Sequence, residues 1–571
     1  VGKLRALSFL LIVGMLATTA CQPVKEARGV YISGTSAGDA ETLNWILAAD
    51  SASLGYAGHT LDSLVSYDNE WRLQLRCAAR DVQVGEDGLV YTVTIRDDLK
   101  WSDGSRVTAE DYVYTLKNLM FSDWLNYPYK SDWQEEVAGE TVFVTPGVVS
   151  DTTFTITRRT VDPEFIYSVR TLTPYPKYIA VKYEGNVKAF TEAPEFNNLA
   201  YTGNLGPYKF VEWIRNDKFV VARNPDYYLG KDIGAPYFEQ YIVKIFGTAA
   251  IAHAALEAKD ITYTGIDPDK VGKFKKMDWI NIYTVPTTGY LLLAYNLRDN
   301  GWAGLKQKEV RQALSLAVSK ELIIEKVLYG FGEPAFSFIP RPSPWHSDRD
   351  LAKYGVKPLL DKGRAKDLLL KAGYARKKAD GTVEAGTKEG KPLKLTLVTN
   401  AGNEVRENVA HLIKEELSAI GIELELKFVP WATLLRKYLM NKVPGKGQEA
   451  RYNNGVGAVS EESWDLLVIG FSTQPLSPSG QDVFFATKGG LNFPGFFNSQ
   501  VDALFRRVKS KEALDEKVRK QLYAELSRLV ADEQPVNFLA FQLANSGFQK
   551  TVKGIEPGIN MGYNYHLWYF E

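Results

Sequence analysis

Cysteine and histidine are scarce in this sequence: its 571 residues hold two cysteines and five histidines. Cys21 and Cys77 cannot build the multi-disulfide framework of small secreted domains. His59, His253, His346, His411 and His566 are scattered without H-x-x-x-H or C-x-x-C spacing. No convergent metal site is read from them, and no cofactor is expected. Net charge is missing too. Lys+Arg and Asp+Glu both number 68, which leaves no global field to recruit nucleic acid or an anionic membrane. Beyond the first twenty residues no run approaches the ~18 consecutive apolar residues of a membrane span. No Walker A or dinucleotide fingerprint is present, so ATP hydrolysis is not expected of this chain. Internal repeats and low-complexity tracts are absent as well.

Aromatic residues are plentiful, at 12% with 12 Trp and 31 Tyr. That suits either ligand clefts or bulky cores. The length calls for three or four domains, because one hydrophobic core does not support it. At the N-terminus Lys3 and Arg5 precede the apolar run Ala6 to Ala17, then Thr18, Thr19 and Ala20 lead into Cys21. Residues 1–20 therefore read as an export signal too short to span a bilayer comfortably. Cys21 resembles a bacterial lipobox cysteine, with Thr18 where leucine is usual. It is expected to carry lipid and tether the chain outside the cytoplasmic membrane, leaving Cys77 unpaired. A Cys21–Cys77 bridge is the alternative.

The middle of the chain mixes periods. VYISGT (Val30 to Thr35) reads as a strand, and Ser53 to Val65 has helical apolar spacing. Val90 to Asp111, VYTVTIRDDLKWSDGSRVTAED, is a strand closed by Asp103-Gly104, then a helix capped by Thr108 with acids in its first turn. Asp103, Glu110 and Asp111 are structural in this reading, not catalytic. Leu205 to Tyr228, LGPYKFVEWIRNDKFVVARNPDYY, reads as an antiparallel hairpin turning at Asn216-Asp217. Glu309 to Pro334, EVRQALSLAVSKELIIEKVLYGFGEP, repeats apolar residues at helical spacing. A further helix over about Glu404 to Ile420 stops at Gly421 and yields the strand IELELKFV. Lys377 to Lys391 is a polar hairpin or loop, and Lys442 to Ser463 a longer loop. Strands and helices mixed throughout give an α/β or mixed α+β class.

GTSAG (Gly34 to Gly38) matches the G-x-S-x-G expression of serine hydrolases. The nucleophile elbow needs a sheet already built and a helix directly after. Here the motif follows the first strand of the mature chain, so a Gly/Ser turn is the better reading and a secreted hydrolase the poorer one.

The three long stretches just quoted resemble the peptide/nickel class of extracytoplasmic solute-binding proteins, family 5, of which the oligopeptide-binding proteins of ABC importers are the best-known type. The resemblance runs from about Gly34 to the C-terminus. It implies a binding protein rather than an enzyme, with a two-lobed, periplasmic-binding-protein-like fold, a hinge and three structural domains. The first lobe's main domain would be 21–66, 199–284 and 535–571, with 67–198 a small appended domain and 285–534 the other lobe. VPTTGYLLLAYN and PVNFLAFQ would be the crossing strands. The resemblance further implies a monomer that captures an oligopeptide or other small solute and hands it to permease and ATPase subunits, on the periplasmic or extracellular face.

By the same resemblance the cleft is lined by Ala49, Asp50, Ser51 and Ala52, by Tyr129 in NYPYKSDW, and by Phe471, Ser472, Thr473 and Gln474 after WDLLVIGF. Peptide binders of the class carry Asp on that last loop for the ligand's ammonium, where this chain has Gln474. Asp50 from the opposite lobe is a candidate replacement. Peptide is the leading ligand. A chelated metal, an oligosaccharide or another non-peptide solute is the alternative, since nickel-importing relatives need few protein ligands.

Overall fold

Eleven strands form one sheet in a computed structural model, which describes residues 29–347, 351, 360–386, 391–440, 459–487 and 489–571. In chain order they are β1 (Val30–Thr35), β2 (Tyr208–Ile214), β3 (Lys218–Arg223), β4 (Gln240–Ile245), β5 (Tyr263–Gly265) and β6 (Ile280–Tyr295). β7 (Gly332–Pro334), β8 (Leu393–Asn400), β9 (Ile422–Val429), β10 (Leu466–Ser472) and β11 (Val536–Gln549) follow. Their spatial order is β2-β3-β4-β1-β5-β11-β6-β10-β8-β9, with β7 also pairing β11. β1 runs parallel to β4 and β5, and β8 parallel to β9 and β10; the other pairs are antiparallel. A mixed sheet of this kind is what the interleaved periods call for.

β6 and β11 hold the two halves together. Residues 280–286 of β6 pair with 543–549 of β11, and 290–294 pair with 536–541, with a register break between Pro286 and Tyr290. β5 adds to the far end of β11, and β10 to the far end of β6. The same two strands thus serve the sheet on both sides of the break. Beyond it β6 is buried on both faces. Tyr290, Leu292 and Ala294 enter one core, with Phe485, Phe505 and Tyr523. Leu291, Leu293 and Tyr295 enter another, with Leu314, Leu397 and Ile413. Period-2 alternation sorts one strand into two cores.

On the other side of the break a single core runs from Leu43 and Ile46 through Val93, Leu116 and Phe154 to Phe219 and Val243. The four-stranded sheet Gln83–Val84, Val90–Thr94, Thr153–Thr157, Thr145–Ser150 therefore packs into the same core as the β2–β4 end of the main sheet.

Local signals hold where they were strongest. VYISGT is β1, and the β2–β3 hairpin turns with Asn216 at φ 57°. Thr108 and Asp111 form a capping box on the helix Ala109–Tyr114; buried Asp111 also accepts from Trp101 Nε1 and Lys177 N. Gly421, at φ +93°, ends the helical run before β9. The helix expected over Ser53 to Val65 is shorter, Ser51–Ala57. Gly58 follows it, Asp62 N pairs with Leu205 O, and Val65–Tyr67 is already a strand. Tertiary pairing overrides the spacing there. Lys377 to Lys391 begins as a hairpin, Ala375–Lys377 against Val383–Ala385. Cys21, the export signal and residues 442–458 of the long loop lie outside the described residues. Cys77 is buried and free, and burial pushes its thiol well up. No helix among the described residues is long and apolar enough to cross a membrane.

Candidate functional site

The register break in β6 is the floor of a cavity of about 940 Å³. Val285, Pro286, Thr287 and Thr288 of β6 and Ala544 and Ser546 of β11 line it. Pro286 has no N–H to give a ladder. The freed groups are used locally: Thr287 Oγ1 donates to Gln542 O at 2.9 Å and accepts from Gly289 N at 3.1 Å. Thr288 O accepts from Thr473 N. One wall carries Tyr67, Trp71 and Tyr167, the opposite wall the loop Gln474 to Ser477, and Gly558 to Tyr563 closes an end. A second cavity of about 450 Å³ opens among Trp45, Tyr127, Tyr129 and Trp133. Asp132, Ser168, Thr171 and Gln474 line both, so the two are parts of one cleft.

Two aromatic side chains on the walls, Tyr67 and Trp71, are held in place. Arg170 donates to Tyr67 Oη at 3.0 Å while pairing with Asp81. Trp71 sits at φ 63°, an uncommon conformation for a bulky residue, in a turn fixed by Asp68, whose Oδ1 accepts from Glu70 N and Arg72 N. Its Nε1 donates to Pro342 O at 2.5 Å, across to the other half of the molecule. The Gln474 loop is braced from behind: Ser343 Oγ donates to Pro475 O at 2.6 Å and Trp345 Nε1 to Leu476 O at 2.9 Å. The Gln474 side chain is left facing the cleft, exposed.

Of the residues singled out in the sequence, Tyr129 lines the second cavity and Gln474 lines both. The other expected residues do not line either cavity. Asp50 caps the helix Ser51–Ala57, accepting from Ser53 N at 2.8 Å and from Ser53 Oγ at 2.5 Å. Those bonds hold its carboxyl below the usual range although burial opposes them. Ala49, Ser51 and Ala52 go with that cap. Phe471 packs on Phe484 and Phe493 in the core beside β10. Ser472 gives its carbonyl to Gln481 Nε2, and buried Thr473 donates to Phe338 O. The Asp50 carboxylate is thus committed to its own helix cap.

The residues that sequence reading missed are Tyr67, Trp71, Asp132 and Glu164. Asp132 alone carried a signal, three residues after Tyr129 in a segment already singled out. Glu164 precedes the short helix Phe165–Arg170 and is buried between the halves. It accepts from Ser479 N at 3.2 Å and from Tyr523 Oη. Burial pushes its carboxyl up to about 7, against those two hydrogen bonds. GTSAG ends in an exposed loop after β1. Among the described residues no group of His, Cys, Asp or Glu converges to hold a metal ion. His253 is structural, bonded to Gly265 O.

The family model for bacterial extracellular solute-binding proteins, family 5, matches residues 73–492. The oligopeptide-binding protein AppA of Bacillus subtilis is 28% identical over 542 residues, 93% of this chain and 88% of its own length. Its structure in complex with a nonapeptide superposes at a TM-score of 0.70 with 25% identity, covering 96% of this chain and all of that one. The ABC transporter substrate-binding protein CtaP of Listeria monocytogenes has the same fold at a TM-score of 0.77, with 24% identity over 95% of this chain and all of that one.

Proposed function

The chain belongs to the bacterial extracellular solute-binding proteins of family 5, and we propose that it captures oligopeptides in the cleft over the β6–β11 crossing and delivers them to an ABC importer. It is a binding protein, not an enzyme. The observation that carries the peptide reading is the cleft itself. About 940 Å³ of space, continuous with a second chamber, is walled by tyrosine and tryptophan faces and open loops. That is room for several residues of an extended chain, and such walls grip varied side chains without demanding one sequence. Closing two lobes over the solute would remove it from water.

In this reading 21–66, 199–284 and 535–571 form one lobe, 67–198 its appended domain and 285–534 the other lobe. The break at Pro286 to Tyr290 supports a hinge there. Cys21 would carry the lipid anchor, and permease and ATPase subunits would receive the loaded monomer. Gln474 favours a second reading in which the solute is not a peptide, because a neutral amide brings no counter-charge to an ammonium. Native mass spectrometry of protein purified from its host without refolding tests the choice. Co-purified masses matching short peptides support import of peptides; a sugar or metal-chelate mass overturns it.

A further inference from the structure

We propose that Asp132 is the counter-charge for a primary ammonium group of the bound solute. This rests on the peptide reading of the cleft and names the group that would select among peptides. Asp132 is the one charged side chain among the described residues lining the two chambers. It stands where the chambers meet, beside Ser168, Thr171 and Gln474.

Its carboxylate is uncommitted. Among the described residues Asp132 makes no side-chain hydrogen bond or salt bridge, whereas neighbouring acids are occupied. Asp162 accepts from Glu164 N, and Asp482 pairs with Lys509 at 2.6 Å. Asp132 is exposed to the open cleft, yet the surrounding walls take enough water from its carboxyl to raise it above the usual range, with Lys509 pulling it the other way. Because Lys509 is already paired, a cation from the solute is the partner the carboxylate lacks. The mount is rigid: Asp132 lies in the turn Lys130–Trp133, anchored by buried Trp133. Tyr127 and Tyr129, at an edge-to-face 5.9 Å, flank the same turn and offer π faces to a cation. No lysine or arginine lines either chamber among the described residues. The solute's own carboxylate therefore meets no charge there, and one positive group is what the lining selects.

Two sources could supply that group, a free α-amine or a lysine side chain. The test uses full-length protein, calorimetry and three forms of one Ala/Phe peptide: unblocked, N-acetylated, and N-acetylated with an internal lysine. Wild type should bind at least one amine-bearing form about 100-fold more tightly than the acetylated, lysine-free form. Asp132→Asn should erase that preference, so that amine-bearing and acetylated forms bind with similar affinity. Asp132→Glu should keep part of it, and unchanged melting temperatures would exclude misfolding. Which amine-bearing form wins identifies the source. A preference that survives Asp132→Asn overturns the assignment. Equal binding of all three by wild type overturns it too, while peptide capture stands. Absence of binding to every form removes the peptide reading and the ammonium anchor with it.

Discussion

Raising the pH from about 5.5 to about 7.5 should shift the molecule toward an open cleft, and Glu164 is the reason. Its side chain lies at the start of the helix Phe165–Arg170 and reaches Ser479 and Tyr523 in the opposite half. Asp162, Tyr167, Lys509, Arg519 and Tyr523 are the titratable and charged groups around it. Asp162 raises its carboxyl and Arg519 lowers it, and loss of water outweighs both. When the halves separate, Glu164 returns to water and to the ordinary value of 4.5, against about 7 in contact.

Below 4.5 the group is protonated in both states and closure carries no penalty. Between 4.5 and 7 the open form has lost the proton that the closed form keeps, so each pH step costs closure about 1.36 kcal/mol. Above 7 the penalty levels off at roughly 3 kcal/mol. From about pH 5.5 to 7.5 the closing equilibrium should therefore fall roughly 20-fold, with close to one proton taken up on closing near pH 6. Small-angle scattering at each pH reads the population, and calorimetry in buffers of different ionisation enthalpy counts the proton. Glu164→Gln should flatten both profiles. An undiminished slope in that variant, or closure favoured by high pH, would refute the reasoning.

Trp71→Phe removes the Nε1 bond to Pro342 O and should weaken closure by about 1 kcal/mol with little change in thermal stability, read as a several-fold loss of affinity for every ligand. Buried His59 and His566 are held neutral, lowered by burial to about 4 and about 3. Stability should be steady above pH 6.5 and fall by roughly 2–3 kcal/mol per histidine by about pH 4.5, with His59→Gln blunting the loss in urea titrations. Lys320, lowered to about 7 by burial, donates to Ala335 O, Asn537 Oδ1 and Phe538 O. Stability should rise by roughly 2–3 kcal/mol between pH 7 and 9, as the folded chain sheds a proton that the unfolded chain still keeps, and Lys320→Met should abolish that rise.

Local chemistry made the frame legible in the sequence. The alternation in VYISGT, the Asn216-Asp217 turn and the Gly421 stop are written in contiguous residues, and they appear where expected. The ends of the crossing strands were legible because their apolar runs are long. The cleft was harder, since its walls come from residues about 400 positions apart, with Tyr67 facing Gln474. Reading Ser53 to Val65 as one helix hid the turn that carries Trp71. Phe471 and Thr473 follow a buried strand, and their apolar and hydroxyl character fits a core as well as a cleft. Asp50 looked free because a cap is visible only once the helix behind it is placed.

Latch and anchor sit on opposite ends of one small region, and their effects on binding separate cleanly. The helix Phe165–Arg170 has Glu164 at its start, while Ser168 and the following Thr171 line the cleft beside Asp132. Anything that biases closure scales the apparent affinity of every solute that needs the closed form by the same factor. At neutral pH Glu164→Gln should therefore tighten, and Trp71→Phe weaken, amine-bearing and acetylated peptides by equal factors. A change at Asp132 should alter their ratio, since only an ammonium exchanges energy with that carboxylate. A double variant, Glu164→Gln with Asp132→Asn, should then show the two effects adding in free energy, because one acts on the lobes and the other on the solute.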